Sequence, residues 1–432
     1  MACPTAMGAA YASIEDDLRT QITRQIAHWD SMVEALAEPE NFASVPAWQS
    51  LEHRLGIALR MELQHAVDRL RPHVAQLTHA LAAARTADEL HRVRRGTLAL
   101  RRSIQQCETM IDFYGDAVNS RTGPRLGALL RACDLLAVHS MYAVLPALGS
   151  PVPPVLTYLD KGMGASILRA GVRLWSPGSI SPVAAVKITR HNLLRPTALI
   201  HETGHQVAFS LGWNAQLGRA LHAAARPAGE RTADLWAEWA QEVAADTYAF
   251  AHTGYAAVAG LHDVIAGEPE GVYATPVGDP HPAAYLRVLL GTAMCREWYG
   301  VGPWDGAESA WRSSYPVAQA PPAWRSVLDA SERVLSALAR VCLRQPADAF
   351  GGRPLTALVD PALVAPEALR AMAAQAGPHL YSSAYWADTA PMRLLAWSGL
   401  RLATEPHHTR ELRAEFARWM AMLGNSTGRG GW

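Results

Sequence analysis

Arg195-Pro-Thr-Ala-Leu-Ile-His201-Glu202-Thr203-Gly204-His205-Gln-Val-Ala-Phe209 is the segment that decides the expected fold. Pro196, its second residue, and Gly212, shortly after its end, bound a predicted helix. Within it stands the pattern HExxH. A spacing of four residues places both imidazoles on one helical face a turn apart, where their ring nitrogens can converge on a single tetrahedral Zn²⁺.

Glu202 lies beside the two histidines of this pattern. Its carboxylate can therefore reach a water activated by the metal rather than the metal itself, and can serve as the general base. Chance does not account for the pattern easily, because the 17 histidines of the chain predict roughly 0.03 random matches. The segment therefore predicts a zinc site in which His201 and His205 are two of the ligands.

A third ligand must come from another segment, since a catalytic zinc takes three protein ligands and leaves its fourth position open. The next long predicted helix, LWAEWAQEVAADTYAF, carries Glu238, Glu242 and Asp246 at successive i,i+4 spacings on one face. Three stacked acids repel one another unless a cation or another partner lies nearby. This face therefore favours a metal site over a solvated acidic stripe.

At this point the sequence resembles the gluzincin peptidases, whose third zinc ligand is the glutamate of an ExxxD motif. Glu242-Val-Ala-Ala-Asp246 matches that motif residue by residue. The resemblance implies that Glu242 binds zinc and that Asp246 orients a ligand imidazole, while Glu238 stays the alternative ligand. The metzincin pattern is excluded, because it requires glycine and histidine where this chain has Ala208 and Leu211.

A third motif follows in Asp279-Pro-His281-Pro-Ala-Ala-Tyr285-Leu-Arg287. It resembles the HPxxxxR element that follows ExxxD in gluzincins of the CAAX-prenyl-endopeptidase and heat-shock-protease type. The resemblance implies that His281 stabilises the oxyanion of a tetrahedral intermediate and that Arg287 braces the site through a carboxylate. An ordinary helix cap is the alternative role for His281, and Tyr255 and Tyr285 are alternative donors.

The resemblance covers residues 155–287, about a third of the chain, and rests on these three motifs. Many members of that peptidase type are embedded in membranes or exported. The present chain is expected to have no membrane segment, because the apolar stretch Leu129–Leu148 contains Arg131, Asp134 and His139. The prenylated and membrane-protein substrates of that type are therefore not carried over to this chain.

The fold class expected from the whole sequence is mainly α with a small β-sheet, an α+β zincin-like core. Helical periods fill the region before the Pro/Gly-rich stretch LPALGSPVPP and return after Asn192; Ala87–Phe113 is a clear helix. Runs rich in β-branched residues between these regions predict three strands, namely Val155–Leu159, Ile167–Leu174 and Val183–Thr189. We expect three parts, an N-terminal helical bundle (1–148), a zincin-like metallopeptidase core (149–300) and a C-terminal helical region (301–432).

Composition excludes several classes of function. Hydrophobic residues make up 50% of the chain, so a disordered chain is not indicated. Because 39 basic residues balance 39 acidic ones, the sequence does not indicate a basic surface that binds nucleic acid or membranes. The five cysteines form no CxxC pair and are expected to be reduced thiols. No signal peptide is recognised at the start. These features predict a cytoplasmic protein that binds neither nucleic acid nor membranes.

The function predicted from the sequence is that of a soluble zinc metallopeptidase, with one Zn²⁺ per chain and Glu202 as general base. Its substrate is a peptide or protein, and the absence of a recognisable terminal clamp favours an endopeptidase. Zincins bind their substrate along the edge of a small sheet, so we expect Val186, Lys187 and Ile188 to form that edge. The alternative is a zinc-bound binding or regulatory module, with little or no turnover, whose helical regions contact a protein partner. A purely structural helical protein leaves the motifs unexplained.

Overall fold

The computed structural model describes residues 4–162, 164–174, 179–276 and 278–426, with side chains from residue 14 onward. In this described part, the chain is 74% helical and contains one small three-stranded sheet. This confirms the mainly α class with a small sheet.

Contacts within the chain define two compact units. The first comprises Met1–Thr122 and Ala170–Val183, and the second comprises Gly123–Arg169 and Ala184–Trp432. All motif residues lie in the second unit, which also contains the C-terminal helices. The three-part division at residues 148 and 300 stays a prediction about successive segments of the chain.

The first unit is built from helices. These are α1 (Pro4–Ala37), α2 (Val45–Gln49), α3 (His53–Asp68), α4 (Arg71–Ala83) and α5 (Ala87–Asn119). The helix predicted at Ala87–Phe113 is confirmed, and it extends further to Asn119. It begins with a capping box in which Thr86 and Glu89 each bond the other's backbone N–H.

The second unit surrounds the sheet with helices. Its strands are β1 (Val155–Leu159), β2 (Ser166–Leu168) and β3 (Ala184–Ile188). Its helices are α6 (Pro124–Tyr142), α7 (Thr197–Leu211), α8 (Trp213–Ala225), α9 (Glu230–Glu238), α10 (Ala240–Thr253), α11 (Tyr255–Ile265), α12 (Pro269–Tyr273), α13 (Ala284–Tyr299), α14 (Pro303–Ser314), α15 (Pro322–Glu332), α16 (Leu335–Arg344), α17 (Pro366–Ala376), α18 (Ala384–Thr389), α19 (Pro391–Thr404) and α20 (Thr409–Asn425). One large apolar core joins α6, the sheet and most of these helices.

The sheet corrects two expectations from the sequence. Its strand order is β1-β3-β2, with β3 parallel to β1 and antiparallel to β2. Val186 therefore pairs with Thr157 on one side and Ile167 on the other, and Lys187 is likewise paired on both sides. The expectation that β3 provides the substrate edge through residues 186–188 is wrong, because its central position leaves the edges to β1 and β2. The second strand is also shorter than predicted and ends at Leu168.

One segment in the described part of the chain is long and apolar enough to span a membrane by length and composition. It is Pro124–Leu148, with a mean hydropathy of 1.4 over its most apolar window, and 61% of that window is buried inside the protein. Core helices of soluble proteins meet the same criterion. The expected absence of a membrane span stays a prediction.

Candidate metal centre

Two helices, α7 and α10, bring the HExxH and ExxxD motifs together. Gly204 makes their close approach possible: a Cβ at this position would lie 2.9 Å from Cα of Ala245 and 3.0 Å from Cβ of Tyr248. Any larger residue would have to displace the backbone of α10. The glycine inside HExxH therefore sets the distance between the two helices that carry the candidate ligands.

His201, His205 and Glu242 form one compact group of potential metal ligands, whose ligand atoms all lie within 4.8 Å of one another. Nε2 of His201 is 3.3 Å from Oε2 of Glu242, and Nε2 of His205 is 3.3 Å from Oε1 of the same carboxylate. Ligands about 2.0–2.1 Å from a tetrahedral ion are about 3.4 Å apart. The group therefore has the chemistry and the spacing to hold a metal ion.

Asp246 and Arg287 support this group from one side. Oδ1 of Asp246 lies 2.8 Å from Nδ1 of His201, so that ring donates its Nδ1–H to the carboxylate and directs Nε2 toward Glu242. Arg287 binds the same carboxylate with two hydrogen bonds, of 2.6 Å from Nε and 2.8 Å from Nη2. This two-pronged contact fixes the carboxylate that orients the imidazole.

Charges in the group depend strongly on one another. Burial favours the neutral imidazole, but the Asp246 carboxylate outweighs this effect and raises the pKa of His201 to about 10. Burial also disfavours the carboxylates, yet Arg287 and His201 hold the pKa of Asp246 at about 2. Hydrogen bonds from both imidazoles keep the pKa of Glu242 far below its usual range. Without a metal, protonated His201 and Arg287 balance the charges of the two carboxylates. A metal cation therefore competes with a proton for His201.

Glu202 lies on α7, the helix that carries both histidines, and lines a cavity of about 640 Å³. His201 and Arg287 also line this cavity. The side chain of Glu202 is only 5% exposed, and this burial raises its pKa. A carboxylate with a raised pKa beside a metal group is better suited than an ordinary one to taking up a proton and releasing it again.

His281 reaches the same group from the loop before α13. Its Nδ1 lies 2.6 Å from Oδ1 of Asp279, and its Nε2 lies 3.4 Å from Oε2 of Glu242. Asp279 therefore orients the ring so that Nε2 points toward the candidate metal ligands. The side chain of His281 is half exposed and lines the cavity.

Three alternatives from the sequence lie elsewhere. Glu238 is exposed, because the predicted long helix is interrupted at the buried residue Trp239, which separates α9 from α10. Tyr285 donates its hydroxyl to Glu332 at 2.7 Å. Tyr255 lines a neighbouring pocket. None of these three side chains lies within the group formed by Glu242 and the histidines of α7.

A second group of possible ligands lies on the protein surface. His222, Glu230 and Asp234 also have ligand atoms within 4.8 Å of one another. Their side chains are 30%, 68% and 60% exposed, respectively. Water solvates such acids well, so this group needs no metal to offset buried charge.

Several cavity residues were missed by the sequence reasoning. Asp279 had a recognisable signal, since an aspartate two residues before the motif histidine can bond its ring. Asn192, Arg195, Asp263 and Arg413 also line the cavity, but they come from separated parts of the chain. Sequence spacing offers no signal for such a set.

No known protein family, curated protein or solved structure matches this chain.

Proposed function

We propose that this protein is a zinc-dependent metallopeptidase that hydrolyses peptide bonds. The observation that carries the proposal is the convergence of His201, His205 and Glu242 around one position, with Glu202 beside them at the wall of a cavity. Three protein ligands that leave a position open toward a cavity are typical of catalytic rather than structural zinc sites. We take the cation to be Zn²⁺, one per chain, because two imidazoles and one carboxylate suit that ion.

Glu202 is the general base of the proposed reaction. Bound zinc would supply Lewis-acid polarisation of the scissile carbonyl and would make a water acidic enough to attack it. Glu202 takes the proton from the attacking water and passes it to the leaving amine, and its raised pKa suits both steps.

His281 is the proposed donor to the oxyanion of the tetrahedral intermediate. Its Nδ1 is hydrogen-bonded to Asp279 at 2.6 Å, and its Nε2 is on the side of Glu242. The role requires the imidazolium form, in which Nδ1–H is donated to Asp279 and Nε2–H remains for the oxyanion. A donor that is already oriented gives the most stabilisation where negative charge develops. Arg287 acts on Asp246 as a positioning residue.

The peptide substrate is proposed to enter beside β2. Gly164 and Ala165 directly precede this strand and line the cavity, and β2 is an edge strand. An extended peptide could pair with such an edge. We therefore propose β2, rather than the central strand β3, as the strand that pairs with the substrate. The helical regions remain candidate binding surfaces for a protein partner.

We further propose a cytoplasmic location. Cys107, Cys133, Cys295 and Cys342 are buried and form no disulfide among the described residues, as expected of a protein in a reducing compartment. The even balance of basic and acidic residues favours neither nucleic acid nor a membrane surface as a partner.

Metal content tests the first part of the proposal. Protein purified without added metal should contain about one zinc per chain, and Glu242→Ala should lose most of it. His222→Ala is the matched control, because it removes a ligand from the surface group only. Loss of zinc in the His222 variant with retention in the Glu242 variant would place the site on the surface and overturn the proposal.

Turnover tests the second part. The zinc-loaded protein should cleave unfolded casein or members of a peptide library, and a chelator should stop the cleavage. Glu202→Gln should keep its zinc and lose turnover. Zinc binding without any cleavage would favour the binding-module alternative, and full activity in Glu202→Gln would remove this residue from the mechanism.

A further inference from the structure

The cavity contains polar groups that the proposed hydrolysis does not use. Asn192 is only 4% exposed, and its Nδ2 has no hydrogen-bond partner among the described residues. Arg195 is 16% exposed, and its Nε and Nη2 likewise have no partner within that part of the chain. Each unmatched buried donor is unfavourable for the folded protein. Such donors are explained when a bound group accepts their hydrogen bonds.

The geometry of the Arg195 guanidinium indicates what this bound group is. Its Nη1 is bonded to Asp263, so the edge formed by Nε and Nη2 is the one without a partner. That edge presents two nearly parallel N–H groups, which match the two oxygens of a carboxylate. Both Arg195 and Asn192 line the cavity, so a ligand bound there can reach their unmatched donors.

One arginine of the cavity can contribute positive charge to an anionic ligand. Despite its burial, hydrogen bonding from His262 and the charge of Arg195 lower the pKa of Asp263, so the pair of Arg195 and Asp263 is neutral overall. Arg413 is exposed, lines the same cavity and has no ion-pair partner among the described residues. Its positive charge would balance one further carboxylate.

We infer that Arg195, together with Asn192 and Arg413, forms a subsite that binds a carboxylate of the peptide substrate. The carboxylate belongs to an acidic side chain or to a free C-terminus. Arg195 lies two residues before α7, the helix that carries Glu202, and both residues line the same cavity. One peptide bound in this cavity can therefore contact the general base and the subsite together. This inference rests on the proposed peptidase function.

Binding of peptides to a Glu202→Gln protein tests the subsite without turnover. The probes are fluorescent octapeptides in which one glutamate is moved through the sequence, each paired with its glutamine counterpart, and each made with a free or an amidated C-terminus. Fluorescence anisotropy should show about tenfold or tighter binding of the carboxylate member at one position. A glutamate preference identifies the side chain as the source, and a free-terminus preference identifies the C-terminus.

Arg195→Lys distinguishes a binding role from a structural one. Lysine keeps the charge that Asp263 requires but lacks the two-pronged edge, so discrimination between the carboxylate and amide peptides should fall below about threefold. Binding of the amide peptides should be unchanged. The control is Arg219→Lys, at an exposed position of α8. This variant should still bind the carboxylate peptides more tightly than the amide peptides.

Several outcomes overturn the inference. These are equal binding of carboxylate and amide peptides, failure of all peptides to bind, or an equal loss for both peptide types in Arg195→Lys. The subsite and the peptidase function can fail independently. Carboxylate-selective binding without cleavage by the wild-type enzyme would contradict the peptidase proposal alone. Cleavage without any carboxylate preference would contradict the subsite alone.

Discussion

Oδ1 of Asp246 lies 2.8 Å from Nδ1 of His201, on the side of the imidazole opposite Glu242. The carboxylate thereby fixes which ring nitrogen carries the proton and which one faces the candidate metal position. Arg287 holds the carboxylate in place with two hydrogen bonds. The orientation of one ligand thus depends on a residue on α10 and another on α13.

Asp246→Asn should weaken zinc binding about 10- to 100-fold, because the amide still fills the space but is a weaker partner for the ligand imidazole. Competition with a chelating dye measures this affinity. Asp329→Asn, at an exposed position of α15, should bind zinc as the wild type does. Unchanged zinc affinity in Asp246→Asn would mean that Asp246 does not orient the ligand.

Gly204→Ala should destabilise the protein by about 1–3 kcal/mol, because the new Cβ overlaps the backbone of α10 at Ala245. Zinc affinity should fall as well, since the overlap separates His201 and His205 from Glu242. Urea unfolding and zinc titration measure the two effects.

Gly306→Ala provides the matched control for that change. Gly306 is an exposed residue of the helix α14, and a Cβ there meets nothing within 4 Å. The substitution should stabilise by about 0.5–1 kcal/mol, because alanine loses less conformational entropy than glycine on entering a helix. Equal effects of the two substitutions would contradict the packing role of Gly204.

The sequence allowed the candidate ligands to be predicted because they lie in short local motifs. Four residues on a helix determine a spatial relationship by themselves, so His201 and His205 follow directly from the pattern. Glu242 needed the resemblance to choose it over Glu238. The physical reason for that choice is tertiary, because the chain turns at the buried residue Trp239 and leaves Glu238 in solvent.

Features that depend on long-range pairing were not predictable in this way. The alternation in Val183–Thr189 predicts a strand, but it carries no information on how many neighbours that strand has, and β3 proved to be central. Arg195 stood in the opening segment without an assigned role. Its unmatched donors become visible only when Asp263 and the cavity are placed around it.

His252 should make the protein sensitive to acid. It is buried, and this burial lowers its pKa from 6.5 to about 3, so the unfolded chain binds a proton at a higher pH than the folded protein does. The stability associated with neutral His252 is therefore complete above pH 6.5 and is lost as the pH falls toward 3. Between pH 6.5 and 5 the loss should be about 2 kcal/mol.

Replacement of His252 by leucine should remove this part of the pH dependence. The measurement is urea unfolding at several pH values, in chelator so that metal release does not contribute. Between pH 6.5 and 5 the wild type should lose about 2 kcal/mol more stability than the variant. His53→Leu, at an exposed position of α3, should follow the wild type, and an identical slope for His252→Leu would show that this histidine is protonated in the folded protein.

His281→Ala should reduce kcat about 10²- to 10³-fold, the usual effect of removing one oxyanion donor. Zinc content and melting temperature should change little, because the side chain is half exposed and lies outside the three-ligand group. His191→Ala is the matched control, since His191 is another exposed histidine lining the cavity, and it should retain most of the activity. Loss of zinc from His281→Ala would instead make His281 a metal ligand. The N-cap of α13 is Ala283, without a side-chain capping bond, so the cap role expected as an alternative is not observed. A lower melting temperature with unchanged kcat would leave His281 only a structural role in the loop before α13.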